Sequence, residues 1–223
     1  MLTLHRAGFL LPDPAAPTAP SFADGAVVVR GELVEAVGPY AELAAAHPSA
    51  RVRDWGRALL APGLRNPCGQ RLLERDYHPD PREEISVEPV VDGLVGCTDE
   101  ARYGASARRG LQRMLGFGVT AVAGPFARPA VRTAVARSGL VALPGPGPGA
   151  SGAGELGEGA GLLDPLAVLP LARAVHGRVA AGGRADFVVF PVAAEEAQEG
   201  GVRPAAGGCL ATVLAGRLVY RRR

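Results

Sequence analysis

The side chains able to do chemistry are few and scattered. The four histidines, His5, His47, His78 and His176, include no pair at metal-ligand spacing. His78 stands out. In Asp76-Tyr77-His78-Pro79-Asp80 it has carboxylates on both sides, which are expected to raise its pKa, and Cys68 lies ten residues upstream. Two readings stand for it: a ligating or catalytic imidazole, and an ordinary member of a charged loop. His5 falls in an apolar first strand, while His47 and His176 fall at helix ends, where a cationic side chain suits the helix dipole. Glu83-Glu84 and Glu195-Glu196 are adjacent pairs whose side chains project to different faces, so they are poor acid–base partners and read as solvated loop carboxylates. Thr98-Asp99-Glu100 reads as the cap of a following helix. The Gly-rich stretch from Gly145 to Gly161 contains no Lys and does not lead from a strand into a helix, so it does not fit a phosphate-binding loop.

Cys68, Cys97 and Cys209 are an odd number at long spacings, which argues against a disulfide framework and fits a reducing cytoplasm. The 223 residues carry 24 basic and 22 acidic side chains, and every basic one is Arg. Such a bias follows from a GC-rich coding sequence. With a net charge of +2 and one basic run, Arg221-Arg222-Arg223, no nucleic-acid surface is expected. Asp13 and the prolines at 12, 14, 17 and 20 interrupt the start of the chain where a signal peptide would be apolar. No apolar stretch reaches the ~20 residues of a membrane span. A soluble cytoplasmic protein with neither a nucleic-acid nor a membrane partner is the expectation.

The elements that must position these residues read as follows. Leu2 to Leu11 is a strand, and Ala26–Arg30 and Leu33–Val37 form a hairpin across Gly31-Glu32. Tyr40 to His47 is a short helix, and Arg51–Trp55 and Ala58–Leu60 are short extended runs. Residues 75–98 are charged and irregular. A helix from Asp99 to Leu115, a strand at Val119–Val122, a helix from Pro129 to Arg137 and a strand at Leu140–Leu143 alternate as in a βα unit. Residues 144–161 read as a Gly/Pro-rich linker. Asp164-Pro165 opens a helix to Val175 that Pro170 shortens or kinks; Ala185–Phe190 is a strand, and Leu210–Leu214 with Arg217–Tyr220 a second hairpin.

Three phrases in this order resemble the metal-dependent amidohydrolase superfamily, in particular its imidazolonepropionase and aminodeoxyfutalosine deaminase branches. They are Asp24-Gly25-Ala26-Val27-Val28-Val29 through Gly38-Pro39; Ala61-Pro62-Gly63-Leu64-Arg65-Asn66-Pro67-Cys68-Gly69-Gln70; and Ala181 to Phe190 with Thr212 to Tyr220. The resemblance implies that both chain ends build one composite β-sandwich beside a (β/α)8 barrel. It also implies a metal motif His-x-His after the second phrase, where alternate residues of one strand share a face. Here those positions hold Cys68 and Gln70. A thiolate can ligate zinc, whereas a neutral amide is a poor ligand. Cys68 is also the candidate nucleophile, with a buried free thiol as the alternative. Asp186 falls at a position that the resemblance makes structural, accepting N–H bonds from the preceding turn. Between Leu64 and Gly182 at most three or four βα units fit, against the ~250 residues of a typical closed barrel.

The expected fold is mixed α/β: a composite β-sandwich from residues 1–62 and 182–223, with a truncated, non-closed (β/α) barrel remnant from 63–143 and 162–181. The expected function is that of an amidohydrolase-like (imidazolonepropionase-like) protein related to metal-dependent hydrolases of non-peptide C–N bonds, degenerate at the metal site. The alternative is a non-catalytic binding or scaffold protein partnering an enzyme of the futalosine route to menaquinone. No cofactor is expected, zinc entering only if Cys68 and Gln70 prove competent; a homodimer, a partner enzyme or a small-molecule ligand is the expected partner.

Overall fold

A computed structural model describes residues 2–86, 88–145, 160–192, 203–204 and 207–222. β1 (Leu2–Leu10) and β2 (Phe22–Arg30) pair antiparallel, and β3 (Leu33–Pro39) returns across a two-residue turn. Gly31 opens that turn at φ +61°, the conformation its first central position requires. α1 (Tyr40–Ala46) lays Tyr40, Leu43 and Ala44 over Leu4, Ala26 and Val28. β4 (Arg51–Asp54) and β5 (Ala58–Pro62) then both run parallel to β1, one along Thr3–Arg6 and the other along Phe9–Leu10.

The chain next leaves this sheet. β6 (Leu64–Asn66), β7 (Val119–Ala123) and β8 (Val141–Leu143) form a separate parallel sheet, accompanied by α2 (Gly69–Glu74), α3 (Glu100–Gly116) and α4 (Pro129–Ser138). α3 is amphipathic, burying Leu111 and Met114, and Asp99 caps it by accepting the Ala101 N–H at 2.8 Å. The expected helix from Asp164 to Val175 is not continuous. A 3-10 turn at Pro165–Ala167, capped by Asp164, gives way at Pro170 to the single turn α5 (Leu171–Ala174), because proline supplies no N–H to an interior turn. Most of the expected linker, residues 146–159, lies outside the described residues.

β9 (Phe187–Pro191) brings the chain back, antiparallel to β5, and β10 (Ala211–Leu214) and β11 (Arg217–Arg221) complete an eight-stranded sheet in which the path β11-β10-β9-β5-β1-β2-β3 is continuous. Both ends of the chain therefore share one hydrogen-bonded sheet. That sheet curls: Val27 and Val29 of β2 share a core with Val189 of β9 and Val213 of β10. The residues before β9 lace the curl together, Gly182 N–H donating to Val34 O at 2.8 Å and Ala185 N–H to Glu32 O at 2.8 Å. The tips of the two hairpins touch, since a Cβ on Gly216 would lie 2.0 Å from Gly31 O. The outer face of the curl packs against the smaller sheet, where Val188, Phe190 and Leu214 join Leu111, Met114 and Val119 in one core. The architecture is mixed α/β, with an open parallel sheet of three strands among the described residues.

Candidate functional site

The site that the sequence singles out begins where β6 ends. Asn66 is fully buried; its Oδ1 accepts the Cys68 N–H at 2.9 Å and its Nδ2 donates to Leu162 O at 2.8 Å. This amide turns the chain sharply, so Cys68 is the N-cap of α2 and Gly69-Gln70 lies in the helix. The alternation of a strand does not apply there. Cys68 is buried and Gln70 exposed, and the two do not face a common site. Gly69 is required by packing, because a Cβ would lie 2.2 Å from Val122 Cγ2 and 2.6 Å from Ala123 O. The Cys68-Gly69-Gln70 turn thus rests against the C-terminal ends of the parallel strands, the end at which α/β sheets place their ligands.

Burial pushes the Cys68 thiol above its usual range, with the Arg71 charge opposing and the Asp76 carboxylate reinforcing it. Asp76 is itself pushed up by burial, while its Oδ1 accepts the Asp92 N–H at 3.0 Å. Cys68 is accordingly a thiol, not an activated thiolate. Cys97 and Cys209 are also free.

His78 behaves opposite to the sequence expectation. Its flanking carboxylates do not raise its pKa: Asp76 holds the Asp92 N–H, and Asp80 caps a 3-10 turn through Arg82 N–H and stands 3.6 Å from Arg109. Burial dominates and lowers the pKa to about 4, the Arg113 and Arg109 charges adding to it. The ring is fully buried; Nε2 donates to Leu72 O at 2.8 Å and Nδ1 has no partner among the described residues. With Nε2 on Leu72 and Nδ1 unpartnered, His78 makes no hydrogen bond to Cys68. Its backbone N–H donates to Ser106 Oγ and its carbonyl accepts from Arg109 Nε, so the residue ties the end of α2 to α3. Gly110 leaves room for the imidazole, since a Cβ would lie 2.6 Å from Nε2.

The remaining histidines have separate surroundings. His5 is buried edge-on against Phe187, and burial lowers its pKa to about 3. His47 is the C-cap of α1. His176 lies beyond α5, its N–H donating to Gly63 O at 2.7 Å; burial lowers its pKa, with the Asp186 charge opposing. With Arg65 it lines a cleft of about 590 Å3 that sequence reasoning missed, because the two residues are far apart in the chain. Asp186 accepts not from the preceding turn but from Ala215 N–H at 2.7 Å, fixing the tip of the second hairpin, and pairs with Arg184 at 3.1 Å. Glu83 accepts the Tyr77 hydroxyl at 2.6 Å, whereas Glu195-Glu196 lies outside the described residues. Among the described residues no group of three or more His, Cys, Asp and Glu stands close enough to hold a metal ion. Cys68 and Gln70 belong to no such group.

Residues 25–50 match the family model of the imidazolonepropionase-like composite domain of bacteria, a stretch covering most of β2, all of β3 and α1. The resemblance drawn from the opening hairpin therefore holds over the hairpin itself. Among particular structures, the chain is similar to guanine deaminase from Bradyrhizobium japonicum, with TM-score 0.49, 19% identity and coverage of 65% of this chain and 34% of that one. It is similar also to A. niger ochratoxinase (TM-score 0.45, 22% identity, 64% and 31% covered) and to Helicobacter pylori aminofutalosine deaminase (TM-score 0.44, 16% identity, 65% and 33% covered). The chain thus spans about a third of the length of these solved structures. No curated protein matches the sequence.

Proposed function

We propose that this is an amidohydrolase-like protein, related to metal-dependent hydrolases of non-peptide C–N bonds, that has lost the metal centre and acts by binding. In this reading the curled sheet, residues 1–62 and 182–223, is the composite β-sandwich of such enzymes, and residues 63–143 and 162–181 are the remnant of their barrel. The observation that carries it is the position of Cys68 and Gln70, one buried as a neutral thiol and the other exposed on the first turn of α2. Metal-assisted hydrolysis needs convergent, deprotonated ligands and an open coordination position. Neither residue supplies these, and His78 is committed to Leu72.

Binding to a partner enzyme or to a second copy of the chain fits the short parallel sheet, whose edge strand β8 pairs only with β7 among the described residues. An enzyme of the futalosine route to menaquinone is the partner to try first, by analogy with aminofutalosine deaminase. Pull-down with such an enzyme, alongside deaminase and cyclic-amide hydrolase assays of the purified chain, tests the reading. Association without turnover is expected; turnover by a monomer that binds no partner contradicts it.

A further inference from the structure

α3 presents Arg108, Arg109, Gln112 and Arg113 to two adjoining clefts of about 340 and 550 Å3, and Gln112 and Arg113 line both. Arg222 joins them in the larger cleft, where its Nη2 donates to Gly207 O at 3.1 Å, and among the described residues the carboxylates lining the two clefts are Asp80 and Glu88. Asp80 is already engaged, one oxygen capping the turn at Arg82 and the other 3.6 Å from Arg109. Arg108 has no hydrogen bond or ion pair among the described residues, and Arg113 Nη1 is buried without an acceptor. A buried guanidinium N–H without an acceptor is costly, and among the described residues four cations against two carboxylates leave the clefts electropositive.

The end of a helix ordinarily repels anions through its free carbonyls. Here the carbonyls of Leu115 and Gly116 are taken by the Thr212 hydroxyl at 2.6 Å and by the Cys209 N–H at 3.0 Å. Phe117, Leu163 and Tyr220 give the larger cleft an apolar side. α3 runs directly into the start of β7, so these clefts lie at the opposite end of the parallel sheet from Cys68 and Gln70.

We propose that the joined clefts bind a small phosphate monoester with a flat apolar portion, its anion held by Arg113 with Arg108 and Arg222, and its ring against Phe117 and Tyr220. Guanidinium groups match the oxygens of a phosphate in paired, charge-assisted hydrogen bonds. This goes beyond the proposed binding role and does not depend on the fate of the metal centre.

The test is calorimetric titration of the full chain at low salt with phenyl phosphate, and with inorganic phosphate and phenol as its two halves. Phenyl phosphate is expected to bind more tightly than either half, and Arg113→Gln to weaken it about tenfold or more, with an unchanged unfolding midpoint. Arg108→Gln, at an exposed position, is expected to weaken it several-fold, which covers the case in which Arg113→Gln fails to fold; Arg51→Gln on β4 is expected to leave it unchanged. No binding of phenyl phosphate at millimolar concentration, equal binding of phenol, or affinity untouched by both cleft substitutions overturns the proposal.

Discussion

Burial governs both residues that the sequence makes conspicuous. It holds His78 neutral by lowering its pKa to about 4, and it holds Cys68 protonated by raising its pKa. The linkage for His78 follows directly. An unfolded chain takes up the proton near 6.5, while the folded chain refuses it until about 4. The stability this neutral histidine preserves is therefore complete above pH 6.5 and is lost as pH falls toward 4, by an amount on the order of 3 kcal/mol. Urea unfolding of the wild type between pH 7 and 4.5 should show that loss together with the one from buried His5, and His78→Gln should reduce the slope by its own share while His5 keeps the rest; an unchanged slope would show that the ring is not buried neutral. The thiols give a second check: Cys97, only partly buried, should react with a thiol reagent in the native protein, with Cys68 and Cys209 reacting only on unfolding. Mass-spectrometric mapping of the labelled cysteine reads this out. The flanking Asp76 and Asp80 were legible as residues near His78, but their partners, Asp92 N–H and Arg109, come from other segments. Proximity in sequence gave the wrong sign because the nearest carboxylates in the chain are not the groups that set the ring's environment.

At the scale of elements, local chemistry made much of the fold readable. Gly31 and the pair Ala215-Gly216 supply the positive φ of tight turns, so both hairpins could be read from two residues each. Asp99 before a helical apolar pattern located α3, and Asp99→Ala should cost about 1 kcal/mol by urea denaturation. What remained hidden depends on distant partners. β1 pairs in parallel with two successive strands, β4 and β5, and nothing in any of the three sequences states that register. In the sequence Asn66 is one residue of a phrase; its role in turning the chain away from strand geometry rests on Leu162, which lies far along the chain. Two glycines test the close approaches directly. Gly69→Ala should destabilise by about 1–3 kcal/mol through collision with Val122 and Ala123, measured by the same denaturation. Gly216→Ala combines a positive φ of 73° with a clash on Gly31 O and should exceed that cost, because backbone at the facing tip has little room to yield.

Across the whole molecule, one continuous sheet unites the two chain ends, and the segment between them contributes a short parallel sheet packed on the outer face. Strand-rich ends around an α/β middle are legible in the sequence, since each region's pattern is local. The pairing of β5 with β9 that joins the ends is non-local, and neither strand's own sequence states it. The proposed loss of chemistry follows from the same architecture: the turn at Asn66 puts Cys68 inside and Gln70 outside at the strand ends where ligands would converge. The most direct measurement is zinc binding by the purified full chain, followed by competition with a chromogenic chelator and compared with Cys68→Ser. No tight equimolar site and no difference between the two proteins are expected. One zinc per chain, lost in Cys68→Ser and accompanied by hydrolysis of a cyclic amide or a deamination, would contradict it.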